Sequence, residues 1–258
     1  MTIIDDVVAK VTDPYDRQAR LYPALLALLP LLPLFAVVAL LYGPKASALT
    51  GAVTIAVSCG GLYLMTNVCR ELGGRLEKGL YREWGGKPST QLLRHRDSTI
   101  EAVTKRRYHA ILAAKINAPF PDPEQEASKP EVADETYQSG VSWLLRHTRP
   151  EDGKKFDLLF TENIAYGFRR NALGTKPLGV VIAIASLLWV LAKESVISFS
   201  TWRIVNVGAL WHVPEPSTAS LMVSGIMAAA WMFFFTKSSV RTAAFTYAEM
   251  LLRACDIL

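Results

Sequence analysis

Residues 217–236 read STASLMVSGIMAAAWMFFFT, a run without a single Asp, Glu, Lys, Arg or His. At about 1.5 Å of rise per residue, a helix of that length covers the roughly 30 Å hydrocarbon core of a bilayer. Three further stretches share the property: Leu21–Tyr42, Leu49–Val68 and Leu178–Leu191. They stand two and two around a charged central segment, the pattern of an integral membrane protein rather than a soluble enzyme. The third is short. It spans only if its helix continues through Ala192 to Phe199, with Lys193 and Glu194 snorkelling at the surface or pairing with each other.

The basic residues orient these spans. Of 28 Lys and Arg, 19 lie between Arg70 and Lys176, whereas only Lys45 sits in the first short loop and only Lys193 and Arg203 in the last. Positive charge gathers on the cytosolic side of a membrane, so both termini and the central segment are expected in the cytosol. The expected fold is all-α with four transmembrane helices. Its parts are a cytosolic N-terminal segment (1–20), transmembrane helices 1 and 2 (21–68), a helical cytosolic domain (69–176), transmembrane helices 3 and 4 (177–236, external loop near 194–216) and a cytosolic amphipathic helix (237–258). The first apolar stretch is too long for a secretory signal and follows Asp5, Asp6, Asp13 and Asp16, so it is expected to stay uncleaved. The net charge of +5 is read as juxtamembrane Lys and Arg meeting anionic lipid headgroups, not nucleic acid. Cys59, Cys69 and Cys255 face no oxidising compartment in this topology, which implies no disulfide framework.

Within the spans, Pro23, Pro30 and Pro33 remove backbone donors, and a kink is expected near Pro30. Ala52, Ala56 and Gly60, and likewise Ser220, Ser224 and Ala228, recur every four residues and allow close helix packing, within a subunit or in a homo-oligomer. The spans carry no ionisable group of the kind that ion-coupled transporters keep near the midplane, which counts against secondary transport.

The hydrophilic segment reads as helices with definite punctuation. Arg70 to Trp84 extends the second span, weakened at Gly73-Gly74 and ended by Gly85-Gly86-Lys87-Pro88. Ser98 to Glu101 has capping-box spacing and opens a helix reaching Asn117. Ser128 to Glu131 is a second box, with Pro130 at the first helical position of a helix running to about His147. Pro119 to Pro130 reads as an exposed linker. A last helix, near Lys155 to Leu173, is expected to close at Gly174. In the tail, Val240, Ala244, Tyr247, Leu251 and Cys255 share a helical side that packs on the cytosolic domain or lies along the membrane.

Three constellations offer chemistry. Glu83-Trp-Gly-Gly-Lys87-Pro-Ser89-Thr90 has the parts of an anion nest, and Arg94, Arg96, Lys105, Arg106 and Arg107 lie near it, so a phosphate-like anionic ligand is one reading and a basic turn facing lipid the other. His95, Asp97 and His109 are suitable metal donors, but their spacing matches no compact signature and convergence needs a chain reversal. His95-Arg96-Asp97 also lacks the Asn of a kinase catalytic loop, with Ala102 in its place. Tyr166, Phe168, Arg169, Arg170 and Asn171 precede the third span as an interfacial elbow or a coupling element. No catalytic residue and no cofactor follow from these motifs.

The phrases EWGGKPST (83–90) followed by LLRHRD (92–97), and ENxxYGFRRN (162–171), resemble recurring motifs of uncharacterised bacterial membrane proteins over most of the chain. The two-plus-two layout is similar to that of four-span pore-forming effectors of bacterial antiviral signalling. These resemblances imply a bacterial inner-membrane protein and a homo-oligomer that opens or perturbs the membrane. The alternative is a membrane-anchored scaffold that recruits a soluble cytosolic protein.

Overall fold

The computed structural model describes residues 13–42, 48–148, 154–198, 203–204 and 206–258, without the side chains of 39–42, 48–59, 154, 203 and 204. A π-helical turn, Asp16–Leu21, leads into α1 (Tyr22–Leu28) and α2 (Leu31–Tyr42). Then come α3 (Ala48–Trp84), α4 (Pro88–Leu93), α5 (Ala102–Ile116), α6 (Pro123–Ser128), α7 (Pro130–His147) and α8 (Asp157–Lys193). Two short strands, β1 (Ile197–Ser198) and β2 (Arg203–Ile204), pair antiparallel. A 3-10 turn, Val207–His212, precedes α9 (Glu215–Phe233) and α10 (Lys237–Arg253). Among the described residues the architecture is all-α apart from that two-residue ladder.

Among the described residues, α8 and α9 are long and apolar enough to cross a membrane, which points to membrane association. The pair Asp16–Leu28 and Leu31–Val38, bent by 40°, supplies a third crossing if it is one span. By length and composition, the described residues therefore offer two or three candidate spans where four are expected. Half of the second expected span, 49–59, lies outside the described side chains. The bend falls at Pro30, as the loss of its N–H dictates: the Leu32 amide reaches back only to the Leu29 carbonyl, at 3.2 Å.

The chain forms two compact units. The first comprises Met1–Arg75 and Phe168–Thr236. Its core gathers Ala24, Ala27, Met65, Cys69, Ala172, Ala183, Met227, Ala228, Trp231 and Phe235. In α9 the buried positions Ser217, Ser220, Ser224, Ala228 and Trp231 repeat every three or four residues, the spacing of one helical face, and α9 packs against α2. Glycines set how near the helices come. A Cβ on Gly174 would stand 2.6 Å from the Gly73 backbone nitrogen, and one on Gly73 would stand 2.1 Å from the Asn171 Oδ1. The indole of Trp231 lies over Gly179, where a Cβ would meet it at 2.4 Å. Asn171, 0 % exposed, donates from Nδ2 to the Ala19 carbonyl at 2.7 Å and so ties the π-helical turn to α8.

Two polar clasps close the ends of the α8–α9 pair. At one end the Lys193 Nζ and the Ser217 hydroxyl both reach the Glu194 Oε1, at 2.5 and 2.6 Å. At the other the Lys176 Nζ donates to the carbonyls of Met232 and Phe235, at 2.9 and 3.1 Å, capping the negative end of α9.

The second unit comprises Leu76–Gly167 and Lys237–Leu258. Its core is built from Leu92, Leu93, Tyr108, Leu112, Tyr137, Leu144, Leu251 and Leu252. The tail helix α10 packs against α4 and α7 and buries Val240, Ala244 and Leu251, and Cys255 is buried in the 3-10 turn after it, so this apolar side is taken up by the protein. Tyr247 stacks on Tyr166, with rings 6.2 Å apart.

Several sequence expectations are corrected. Gly174 does not end a helix, because α8 runs through it and through Pro177, and its missing side chain serves the contact with α3 instead. The third span gains its length on this side, not through 192–199: the helix stops at Lys193, and Ser195 takes φ 56°. Neither serine capping box forms. The N-caps of α5 and α7 are Glu101 and Lys129, without side-chain cap bonds. The box that does form is Asp122–Gln125, inside the expected linker, where it starts α6.

Replacing Gly174 by Ala forces a methyl into backbone that cannot yield, and we expect a loss of about 2 kcal/mol of stability. Gly74→Ala, where nothing lies within 4 Å, should be neutral or stabilising by up to about 1 kcal/mol. Thermal unfolding of both variants in detergent checks the contrast.

Candidate functional site

The densest buried polar arrangement surrounds the non-helical turn from Leu93 to Asp97. Gly85 (φ 82°) and Gly86 (φ 132°) end α3 in conformations that side chains resist, and Lys87 caps α4 from an extended backbone. When α4 ends after Leu93, the Arg94 amide still bonds the Gln91 carbonyl, but the chain leaves the helix. Polar groups of the turn are met from three neighbouring helices.

From α7, the Asp134 carboxylate takes two bonds from the Arg94 guanidinium, at 2.8 and 2.5 Å. From α5, the Lys105 Nζ donates to the carbonyls of Arg94 and Asp97, at 2.7 and 2.5 Å. Also from α5, His109 Nε2 bonds the Leu93 carbonyl at 2.7 Å. From α6, the Glu126 Oε2 accepts from the His95 amide and the Tyr137 hydroxyl, both at 2.7 Å. His95 Nε2 bonds the Pro121 carbonyl at 2.9 Å. Since a carbonyl only accepts, both imidazoles carry their proton on Nε2.

Burial shifts these groups in opposite senses. Desolvation lowers the His109 pKa from 6.5 to about 4, so the ring is neutral at physiological pH. Desolvation likewise lowers that of Lys105, partly offset by Asp97. Burial pushes Glu126 up, but the hydrogen bonds from the His95 amide, Tyr137 and the Arg96 amide outweigh it, and the net shift is downward. The bond to Asp134 raises Arg94. Desolvation carries the Cys255 thiol and the Tyr108 phenol each up to about 12, so neither is an activated nucleophile at neutral pH.

The anion-site candidates separate in space. Arg94 and Lys105 turn inward as described, and Arg107 pairs with Asp256 at 2.9 Å. Lys87, Arg96 and Arg106 are exposed, Ser89 is half-buried and Thr90 is buried. The amides of Gly85, Gly86, Thr90 and Gln91 bond backbone carbonyls, which commits four of the donors an anion nest would use. His95 and His109 do converge, with rings 4.9 Å apart, because the chain reverses between them. Asp97 instead accepts from the Thr99 amide at 2.9 Å. Among the described residues no group of three His, Cys, Asp or Glu side chains is placed to hold a metal.

The elbow residues are likewise divided. Tyr166, in the second unit, donates to the Glu77 Oε1 at 2.5 Å, beside the Tyr81 hydroxyl at 3.1 Å. In the first unit, Phe168 meets the edge of Phe235, and Arg170 donates to the Asn171 Oδ1 at 3.2 Å. Arg169 also belongs to that unit. Of the packing candidates, Ser220, Ser224 and Ala228 are buried inside the protomer, Gly60 is exposed, and Ala52 and Ala56 lie outside the described side chains.

Glu126, Asp134 and Tyr137 are absent from the sequence-derived candidates although they hold the turn together. The signal that could have found Glu126 is the Asp122-Pro-Glu-Gln125 cap, which makes the segment around it a helix rather than a linker. Two clefts flank that helix. One, of about 390 Å³, is lined by His95, Arg96, Pro123, Glu126, Ala127 and Pro130. The other, of about 320 Å³, includes Pro119, Pro121, Lys129 and Val132. Comparison with protein-family models, curated proteins and solved structures gives no match. The site is therefore read from its own chemistry: a turn tied down by Glu126, Lys105, His109 and Asp134 that places Arg96 and His95 at a proline-lined cleft.

A neutral buried His109 makes the fold acid-sensitive. Between the unfolded value of 6.5 and the folded value of about 4, only the unfolded chain takes up the proton. Stability is therefore flat above the upper value and falls as pH drops towards the lower one. We expect a loss of about 2 kcal/mol between about pH 7 and pH 5, and its removal in His109→Gln, whose amide can still donate to Leu93. Thermal unfolding across that pH range measures it.

Proposed function

We propose that this chain is a four-span protein of the bacterial inner membrane, with both termini cytosolic, that assembles as a homo-oligomer into a gated pore or membrane-perturbing effector. The second unit, in the cytosol, controls it. One observation carries the reading: α3 and α8, each 37 residues long, contribute residues to both compact units, so each helix is a covalent route between a cytosolic stimulus and the membrane. The uncharged apolar runs support it, since the lack of a carboxylate within them disfavours coupled transport. Because Ser220, Ser224 and Ala228 are consumed inside the protomer, the oligomer contact falls to the exposed small residues Gly60 and Gly61 of α3. The proline-lined clefts beside α6 favour a second reading, a membrane scaffold that docks a soluble protein there.

Purified full-length protein in liposomes is expected to conduct ions or release an entrapped dye, and Gly60→Leu to abolish this together with the oligomer. A folded oligomer that leaves the barrier intact under every condition overturns the pore. A stoichiometric soluble partner cross-linked at Val132 without ion flux establishes the scaffold.

A further inference from the structure

The turn Val207–His212 sits between the end of α8 and the start of α9, the two helices long enough to cross a membrane. The Lys193–Glu194–Ser217 clasp fastens its base, and the Asn206 amide bonds the Val196 carbonyl at 3.4 Å. Yet its apolar side chains face outward: Trp211 is 88 % exposed, Val207 58 % and Leu210 43 %. A segment of a connecting loop in water would be expected to turn such groups inward or to carry charge. From residue 204 to residue 214 there is no Asp, Glu, Lys or Arg.

In a 3-10 helix, with three residues per turn, positions i and i+3 eclipse. Val207 and Leu210 therefore form one edge, Gly208 and Trp211 the next, and Ala209 and His212 the third. Two of the three edges are apolar and one ends in an imidazole. That is the amphipathic form of an element lying in a membrane interface, and indoles favour that depth. Three side chains expose far less than the roughly 800 Å² per partner that a stable protein interface takes, so a second protein is a poor occupant. On the same unit Met222 and Ile226 of α9 are also exposed, so α9 too presents apolar side chains outward.

We propose that Val207–His212 is an interfacial anchor, with Val207, Leu210 and Trp211 in the headgroup and acyl boundary of the bilayer and His212 towards water. This rests on the reading of α8 and α9 as spans. Its ligand is the lipid boundary itself, whatever the headgroup.

The test uses full-length protein in phosphatidylcholine nanodiscs, with nitroxide labels at Leu210→Cys, His212→Cys and Ile226→Cys in a background where Cys59, Cys69 and Cys255 are Ala. The ratio of oxygen to nickel-chelate accessibility should be several-fold higher at 210 than at 212, and highest at 226. A water-like ratio at 210 with a lipid-like ratio at 226 sinks the anchor and leaves the spans standing. Water-like ratios at both positions sink the span reading itself. A second measurement keeps all cysteines native: lipids brominated near the headgroup should quench wild-type fluorescence more than that of Trp211→Phe. Equal quenching of the two, with the missing component quenched by aqueous iodide, overturns the anchor.

Discussion

The first unit depends on how closely α3 and α8 approach at Gly73 and Gly174. At that point no side chain fits between the two backbones, and the distance is set by van der Waals contact rather than by a filled core. Lipid tails are as apolar as leucine, so packing of this kind and hydrogen bonding must replace the hydrophobic drive between membrane helices. Asn171 supplies the hydrogen bond in the same place. Its side chain lies against Gly73 and reaches the Ala19 carbonyl, so one residue positions three helical segments.

The second unit solves a different problem with charge. Breaking the chain out of helix after Leu93 strands carbonyls and amides in a buried place, where each unmade bond is costly. Glu126, Lys105 and His109 answer them, while Asp134 holds the Arg94 side chain. A charged side chain that bonds backbone on one side and is partnered on the other is better retained than an isolated buried ion. The same economy explains why a strongly basic neighbourhood offers so little to a ligand: its best-placed cations are already committed.

Much of the fold was legible in the sequence because its signals were local. Apolar length marks α9, the loss of a donor at Pro30 marks the bend, Gly85-Gly86 marks the end of α3, and the helical spacing of Val240, Ala244 and Leu251 marks the buried side of α10. The errors came from signals with two physical meanings. Glycine ends helices, but at Gly174 it admits another backbone instead. Serine followed three residues later by glutamate caps helices, yet at both such places a different residue took the cap. The polar turn was only half visible. Its basic members stand together in sequence, whereas their partners Glu126 and Asp134 lie some thirty to forty residues away, and nothing in local spacing announces that those carboxylates return. The convergence of His95 with His109 was hidden for the same reason, since it follows from a reversal rather than from helical periodicity.

The two clasps on α8 carry one further consequence. Lys176 and Lys193 are seventeen residues apart, about 26 Å along a helix, and each is fixed by its partners instead of being free to extend. A bilayer whose apolar layer matches that interval is thinner than the roughly 30 Å average. Were these lysines to sit at the two edges of an apolar layer, tilting would only shorten the reach of α8, so local thinning of the lipid would be the response to the mismatch.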